Sequence, residues 1–350
     1  MTALMRGLAL ESAGSLDRLR FRDDLPRPEP PPGWVRVRVS HAALNHLDLW
    51  AIRGLPGVTV TPGWVIGSDA TGTIDAVHTP LEDGYDVPVG ARVVINGGIN
   101  TRADEYTARG DDPLSPGFRV IGEHLAGTFA EYVCVPARNV RVIPDAIPGD
   151  IAAAYTLATL TAWRMCVTRA QVGPDDDVLI WGIGGGVALA ALQICKARGA
   201  YVRVTSSRPE KLERARSLGA DDLIDHRGGD VGALVRARTA KRGVTVVIDS
   251  VGTATWAQSL AALGRGGRLV TCGGTSGAMV ETDVRKLFWN QWSLMGSTMG
   301  SNAEFSAVTA ELIAGRLTAV VDRVYPLQDG HQALRRLEAG EQFGKIVLAI

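Results

Sequence analysis

The sequence predicts an α/β protein built from a doubly wound parallel sheet and a second, β-rich domain that surrounds it in the chain. Three observations carry this. Val178–Trp181 is a short apolar run of the kind that forms a strand buried on both faces, and Gly182-Ile183-Gly184-Gly185-Gly186 follows at once. Val187–Arg198 then carries apolar residues at helical spacing and stops at Gly199, a C-terminal cap, before a second strand at Tyr201–Thr205. From there strands alternate with helices, with strands expected at 178–181, 201–205, 222–225, 244–248, 267–272 and 293–297. Alternation of that kind means parallel strands joined by right-handed crossovers.

The elements before this region read differently. Residues 4–140 are mostly β, with short alternating strands such as Trp34–Val39, Gly72–Val77, Ala91–Ile95 and Phe129–Val135 set between Gly, Pro and Asp turns. Residues 98–124 form a long polar excursion with few apolar anchors. Ile151–Ala170 reads as an apolar helix. Lys345–Ile350 is again a strand and should return to the first domain. The expected division is 1–150 with 325–350, and 151–324.

Composition excludes several classes. Formal net charge is zero, so nothing attracts the chain to nucleic acid or an anionic membrane. No run approaches the ~18 apolar residues of a membrane span, and the N-terminus lacks the apolar core of a signal peptide. The four cysteines, Cys134, Cys166, Cys195 and Cys272, lie far apart without metal-binding spacing, as expected of free thiols in a reducing cytoplasm.

The stretch from Val178 carries the chemistry. Strand, glycine turn, helix and strand make the first unit of a dinucleotide-binding fold, in which Gly182, Gly184, Gly185 and Gly186 let the backbone approach a pyrophosphate held at the helix start. Val187 stands where the strict motif has its third glycine. The acid expected about 20 residues on, for the ribose 2′-OH of NAD, is missing. In its place stand Thr205, Ser206, Ser207 and Arg208, with Lys211 a turn later. Hydroxyls and cations suit a 2′-phosphate, which a carboxylate would repel, so the expected cofactor is NADP(H).

Read together, nine blocks resemble the medium-chain dehydrogenase/reductase superfamily over essentially the whole chain. They are Ala43–Asp48, Gly67-Ser68-Asp69, Gly90–Val93, Thr128–Tyr132, Leu160–Trp163, the glycine turn, Asp249–Gly252, Gly266–Val270 and Phe343–Val347. The resemblance implies a GroES-like catalytic domain and a Rossmann domain. It points most closely to quinone oxidoreductases and to zinc-type alcohol-dehydrogenase-like proteins.

The resemblance also locates the family's metal positions, and their residues have changed. Where zinc relatives carry the first Cys, the His and the third ligand, this chain has Asn45, Ser68 and about Leu157. None replaces thiolate or imidazole on Zn²⁺. The four Cys of the structural zinc lobe correspond to Thr101, Asp104, Thr107 and Ser115. The expected metal content is therefore none, with residues 98–124 a metal-free remnant of that lobe.

A site without a Lewis acid favours acceptors that delocalise charge, either quinones or α,β-unsaturated carbonyls. The resemblance implies that Asn45 approaches the nicotinamide ribose and substrate, that Thr161 packs at the nicotinamide, and that Lys345 lies on the cofactor phosphates. Ser250 and Val251, with Cys272, Gly273 and Gly274, should border the cofactor. The family's hydroxyl relay position holds Leu47, which leaves His46 as the candidate proton donor; Asp48 and Ser68 complete the candidate catalytic set. Trp50, Trp64, Phe288, Trp289 and Trp292 are candidates to wall a flat acceptor. A homodimer is expected through an edge strand in Trp292–Gly300. The leading expectation is an NADPH-dependent reductase of quinones or activated enones. A zinc-free alcohol or aldehyde dehydrogenase and a non-catalytic NADPH-binding regulator stand as alternatives.

Overall fold

The structure, a computed structural model, describes residues 3–55, 57–82, 84–100 and 102–350. The chain divides into two compact units, Met1–Ala158 with Gly300–Ile350, and Thr159–Met299.

The first unit is β-rich. Its main sheet runs, in order, Val140–Val142, Arg92–Ile95, Asp69–Val77, Trp34–Ala43, Lys345–Ala349 and Val321–Pro326, with Tyr132–Pro136 also paired to Trp34–Ala43. Alternation in Trp34–Val39 sends Val35, Val37 and Val39 into the core with Ile74, Val93, Ile95, Val133 and Leu348. A three-stranded sheet, Leu19–Pro26, Leu4–Leu10 and Trp64–Val65, completes the body. The C-terminal strand joins as expected. The expected boundary at 324/325 shifts to Met299/Gly300, because helix Asn302–Ile313 is tied to the first unit. Arg141 Nε donates to Ser306 Oγ at 2.8 Å, and the hydroxyls of Tyr155 and Thr309 share a hydrogen bond at 2.5 Å.

The second unit carries six parallel strands in the order Asp222–Asp225, Tyr201–Ser206, Asp177–Ile180, Val244–Asp249, Leu263–Thr271 and Ser293–Gly296. Each lies within a few residues of its expected place. Val178, Leu179, Ile180, Val246, Val247 and Ile248 are all buried, as central parallel strands covered on both faces require. The expected 151–170 helix is α-helical over Gly149–Trp163 and then widens into a π turn, Arg164–Arg169, where the Ala170 N–H reaches back to the Met165 carbonyl.

The described residues 98–100 and 102–124 are held by backbone pairing and polar contacts of their own. Strands Gly98–Asn100 and Phe118–Val120 pair, and a polar clasp closes the loop they leave. The Asp104 carboxylate accepts the Tyr106 and Thr107 N–H groups at 3.0 Å and the Ser115 hydroxyl at 2.5 Å, while the Thr107 hydroxyl accepts the Asp104 N–H at 2.8 Å. Three positions that the resemblance assigned to zinc thiolates thus bind one another. The fourth, Thr101, lies outside the described residues.

Candidate active site

Sheet register builds the site of the first unit. Ala43 pairs with Asp69 on one side and Val347 on the other. The ends of three adjacent strands therefore bring Asn45, Asp69 and Lys345 together, although Lys345 is 276 residues from Asp69. Asp69 is fully buried, and both of its oxygens are occupied. Oδ2 accepts the Asn45 amide and the Lys345 ammonium, each at 2.9 Å. Oδ1 accepts the Leu157 N–H at 2.7 Å and the Thr156 hydroxyl. Lys345 also donates to Asn45 Oδ1. The resemblance placed the Lys345 charge on cofactor phosphates. Here its side chain is 6% exposed and its charge is held by Asp69, so it is an internal cation.

Asn45 begins helix His46–Arg53, and Asp48 caps that start by accepting the Asn45 N–H at 2.6 Å. One lysine cannot neutralise both Asp48 and Asp69. Burial, opposed by the Asn45 hydrogen bond and the Lys345 charge, pushes the Asp48 carboxyl up to about 7. Folding then takes up a proton on Asp48 between the ordinary carboxylate range and about pH 7, and this contribution to stability is lost as pH rises through that window. Asp48→Asn keeps an acceptor for Asn45 and removes the charge. In urea denaturation it should be more stable than the parent by on the order of 1–3 kcal/mol at about pH 8, with the difference gone by about pH 4.

His46, at the first position of the same helix, is held neutral. Burial, then the Lys345 and Arg53 charges, lower its pKa. It is a better proton acceptor than cationic donor. Ser68 is fully buried, and its hydroxyl donates to the Ile121 carbonyl at 2.7 Å. Asn45, Ser68 and the Leu157 backbone, at the positions to which the resemblance assigns zinc ligands, are therefore engaged in protein hydrogen bonds. The oxygens of Asp69 are likewise taken, so these residues do not fit Zn²⁺. Among the described residues no group of three or more His, Cys, Asp or Glu side chains could hold a metal ion.

The second unit carries the residues expected to meet a cofactor. Gly182 and Gly184 have φ of +69° and +122°, which glycine alone adopts without strain. The turn is anchored to the next strand, since the Gly182 N–H donates to Thr205 Oγ1 at 3.1 Å and the Ile183 N–H to the Thr205 carbonyl at 2.8 Å. Helix Gly186–Ala197 starts there, with Gly185 as its cap and Val187 in its first turn. The first N–H groups of any helix lack intrahelical partners, which suits a pyrophosphate. The glycines, the helix start and the orphaned Thr161 hydroxyl described below fit a bound dinucleotide.

Ser206 ends strand Tyr201–Ser206 almost fully buried, and its hydroxyl accepts the Arg208 N–H at 3.1 Å. Arg208 caps helix Pro209–Ser217, half exposed and 3.9 Å from Glu210. Ser207 is exposed beside it, and Lys211 lies in the first turn of that helix. Asp249 is buried and structural: it accepts the Val251 and Gly252 N–H groups and the Thr255 and Ser259 hydroxyls, fixing the turn at Ser250 and Val251. The loop after Cys272, Gly273 and Gly274 closes on that turn through the Ser276 N–H and the Val251 carbonyl, 2.8 Å. Burial pushes the Cys272 thiol up to about 12, so it is no nucleophile. The Thr161 hydroxyl is buried and, among the described residues, has no hydrogen-bond partner. That orphaned group fits a carboxamide.

Of the candidate aromatic walls, Trp292 donates to the Gly264 carbonyl at 2.8 Å and Trp64 to the Gly122 carbonyl at 3.4 Å. Phe288 and Trp289 stand exposed on helix Val284–Asn290, while Trp50 is half-buried. Sequence reasoning missed Thr156 and the pairing of Lys345 with Asp69, for which the linear chain holds no signal.

Comparison with known proteins agrees with the two-domain fold. Residues 31–145 match the alcohol dehydrogenase GroES-like domain, and residues 186–314 match the zinc-binding dehydrogenase family. A crystal structure of an NAD-dependent alcohol dehydrogenase is 37% identical and superposes with a TM-score of 0.93, covering 99% of this chain and 100% of that one. A crotonyl-CoA carboxylase/reductase in complex with NADP is 25% identical with a TM-score of 0.90, covering 99% and 95%. The quinone oxidoreductase of Homo sapiens is 26% identical over 99% of this chain and 98% of its own. No helix of the described residues is long and apolar enough to cross a membrane. With a GroES-like domain preceding a parallel-sheet domain, and both matched, the chain belongs to the medium-chain dehydrogenase/reductase superfamily of nicotinamide-dependent oxidoreductases.

Proposed function

We propose that this chain is an NADPH-dependent, zinc-independent reductase of quinones or conjugated enones. The observation that carries the reading is the Asn45–Asp69–Lys345 cluster, in which hydrogen bonds and an internal cation stand at the family's metal position. Bound NADPH supplies a hydride. The glycine turn and the start of helix Gly186–Ala197 would hold its pyrophosphate, the orphaned Thr161 hydroxyl its carboxamide, and Ser206 with Arg208 its 2′-phosphate. Asn45, oriented by Asp69 and Lys345, would position the acceptor. Without a Lewis acid at the acceptor oxygen, the substrate must spread the incoming charge by conjugation, which quinones and enones do and simple ketones do not. Relatives described as a quinone oxidoreductase and a crotonyl-CoA carboxylase/reductase support the same class.

Steady-state oxidation of NADPH with 1,4-benzoquinone and 2-cyclohexenone should proceed at rates unchanged by a strong chelator, and elemental analysis should find well under one zinc per chain. Stoichiometric zinc, or activity abolished by chelator, overturns the reading. Neutral His46 favours one alternative, zinc-free oxidation of an alcohol with His46 accepting the proton. Faster NADP⁺ reduction with alcohols than NADPH oxidation with enones would select it.

The proposal extends to assembly and place. Strand Ser293–Gly296 ends the parallel sheet, and Val284, Phe288 and Trp289 stand exposed just before it. Two copies pairing along that edge would cover them and satisfy its backbone groups. All four cysteines are free, as suits a reducing cytoplasm.

A further inference from the structure

The acid absent at Ser206 has a counterpart on the neighbouring strand, and beside it stands an arginine that nothing above uses. In the second unit, strands Asp177–Ile180, Tyr201–Ser206 and Asp222–Asp225 run parallel and side by side. Ser206 pairs in register with Asp225, so the two residues end their strands at the same level. Ligands of such sheets bind outside these carboxyl ends. Each side chain closes the turn that follows it. The Ser206 hydroxyl accepts the Arg208 N–H at 3.1 Å, and the Asp225 carboxylate accepts the Arg227 N–H at 2.9 Å. The repeated geometry leaves an arginine two residues beyond the end of each strand.

The Asp225 carboxylate also fixes the Arg227 side chain. It accepts from Nε at 3.1 and 3.2 Å and from Nη2 at 2.6 Å, while Nη1 has no partner among the described residues. The Arg227 side chain is 58% exposed, so the pair contributes little to stability. It does hold a guanidinium in one orientation, which lowers the cost of ordering that group on a ligand. Glu210 ties the two arginines into one cluster. It lies 3.9 Å from Arg208, and its charge adds to the rise that Asp225 produces in the Arg227 pKa. The turn His226–Gly228 is itself set beside the glycine turn. The rings of His226 and Trp181 lie with centroids 6.3 Å apart, and Trp181 immediately precedes Gly182. Nδ1 of His226 and Nε1 of Trp181 are buried and, among the described residues, unpartnered. Buried polar atoms are seldom left so, and these two belong to residues that directly follow strand ends of this sheet.

We propose that Arg227 is a second guanidinium for the 2′-phosphate of the cofactor, positioned by Asp225 and acting with Arg208. The proposal rests on the reading of the chain as NADPH-dependent. A 2′-phosphate dianion presents three acceptor oxygens, and one half-exposed arginine with a glutamate beside it does not neutralise two charges. Arg208 and Arg227 together supply two positive charges and the forked N–H groups that phosphate accepts from best. The N–H groups of Arg227 Nη1 meet the phosphate while Nε and Nη2 stay on Asp225, so binding breaks no ion pair. Asp225 sets the limit on the gain. Its hydrogen bond from Arg227 holds its carboxyl down to about 2, so it stays ionised and opposes the phosphate that Arg227 attracts.

The test titrates the full-length protein calorimetrically with adenosine 2′,5′-bisphosphate and with AMP, which differ only in the 2′-phosphate. The parent should bind the bisphosphate about tenfold more tightly or better. Arg227→Ala should weaken bisphosphate binding about fivefold, with AMP changed by less than about twofold. Arg227→Lys keeps the charge without the planar fork and should fall between parent and Arg227→Ala. Arg208→Ala combined with Arg227→Ala should abolish the preference for the bisphosphate. Asp225→Asn keeps an acceptor for the Arg227 N–H and removes the opposing charge, so it should bind the bisphosphate about threefold more tightly. Equal loss for both ligands in Arg227→Ala, or loss for neither, overturns the assignment while leaving the NADPH reading standing. Weaker AMP binding in Asp225→Asn would make Asp225 a ribose-binding acid and overturn the assignment as well. A parent with no preference for the bisphosphate overturns both.

Discussion

Lys345→Met should destabilise the protein by about 3–5 kcal/mol in urea denaturation, the usual cost of stranding one charge of a buried pair. Asp69 is fully buried, and Lys345 is the cation within reach of its Oδ2. The remaining contacts of Asp69 are neutral donors, namely the Asn45 amide, the Leu157 N–H and the Thr156 hydroxyl. They soften the loss without cancelling the charge. Removing the stranded charge should recover much of it, so Asp69→Asn combined with Lys345→Met should be more stable than Lys345→Met alone by more than ~1 kcal/mol. Strict additivity of the two single changes would show that the ion pair contributes nothing. The alternative role of Lys345, a cation on cofactor phosphates, makes a different prediction: loss of NADPH affinity with little change in folding stability. Denaturation and cofactor titration on the same variant therefore separate an internal cation from a ligand-binding one.

Ser206→Asp should invert cofactor preference, from NADPH in the parent to NADH in the variant. Ser206 is buried at the end of its strand and accepts the Arg208 N–H, a bond that an aspartate can also accept, so the turn should survive the change. The added carboxylate would repel a 2′-phosphate and accept from the two ribose hydroxyls of NADH. Arg208→Ala probes the attractive half of the same contact. A half-exposed guanidinium against a phosphate dianion contributes on the order of 1–3 kcal/mol, and its neighbour Glu210 at 3.9 Å draws on the same charge. About a tenfold loss for NADPH is expected, since ~1.4 kcal/mol is tenfold, with NADH nearly unchanged. Fluorescence titration of both cofactors against the parent and the two variants reads each term. Equal binding of NADPH and NADH by the parent, with Arg208→Ala affecting both alike, refutes the NADPH assignment and reduces Arg208 to a helix-start residue.

Local pattern determined the parallel sheet. Val178–Ile180 and Val244–Ile248 are continuous apolar runs because both faces of a central parallel strand are covered, and Gly182 and Gly184 are glycine because their positive φ admits little else. Such signals lie within a few residues of the atoms they govern, so a linear reading finds them. The residues at Asn45 and Ser68, where the resemblance expects metal ligands, were legible for the same reason: each is a fact about one side chain. What those side chains bond to was not. Lys345 meets Asp69 because strand Lys345–Ala349 runs antiparallel to Trp34–Ala43 in a register that levels Val347 with Ala43, and because Asp69 pairs with Ala43 from the other side. Nothing near Lys345 in sequence encodes that register. The same holds for residues 300–324, assigned by sequence to the parallel-sheet domain and falling in the first unit, where Ser306 and Thr309 bond to Arg141 and Tyr155. The 98–124 segment joins the two cases. Its polar composition suggested a loop with little to hold it, yet Asp104, Thr107 and Ser115 bond to one another once the backbone brings them together. Sequence fixes which groups can donate or accept; only the folded chain sets which of them are within hydrogen-bonding reach.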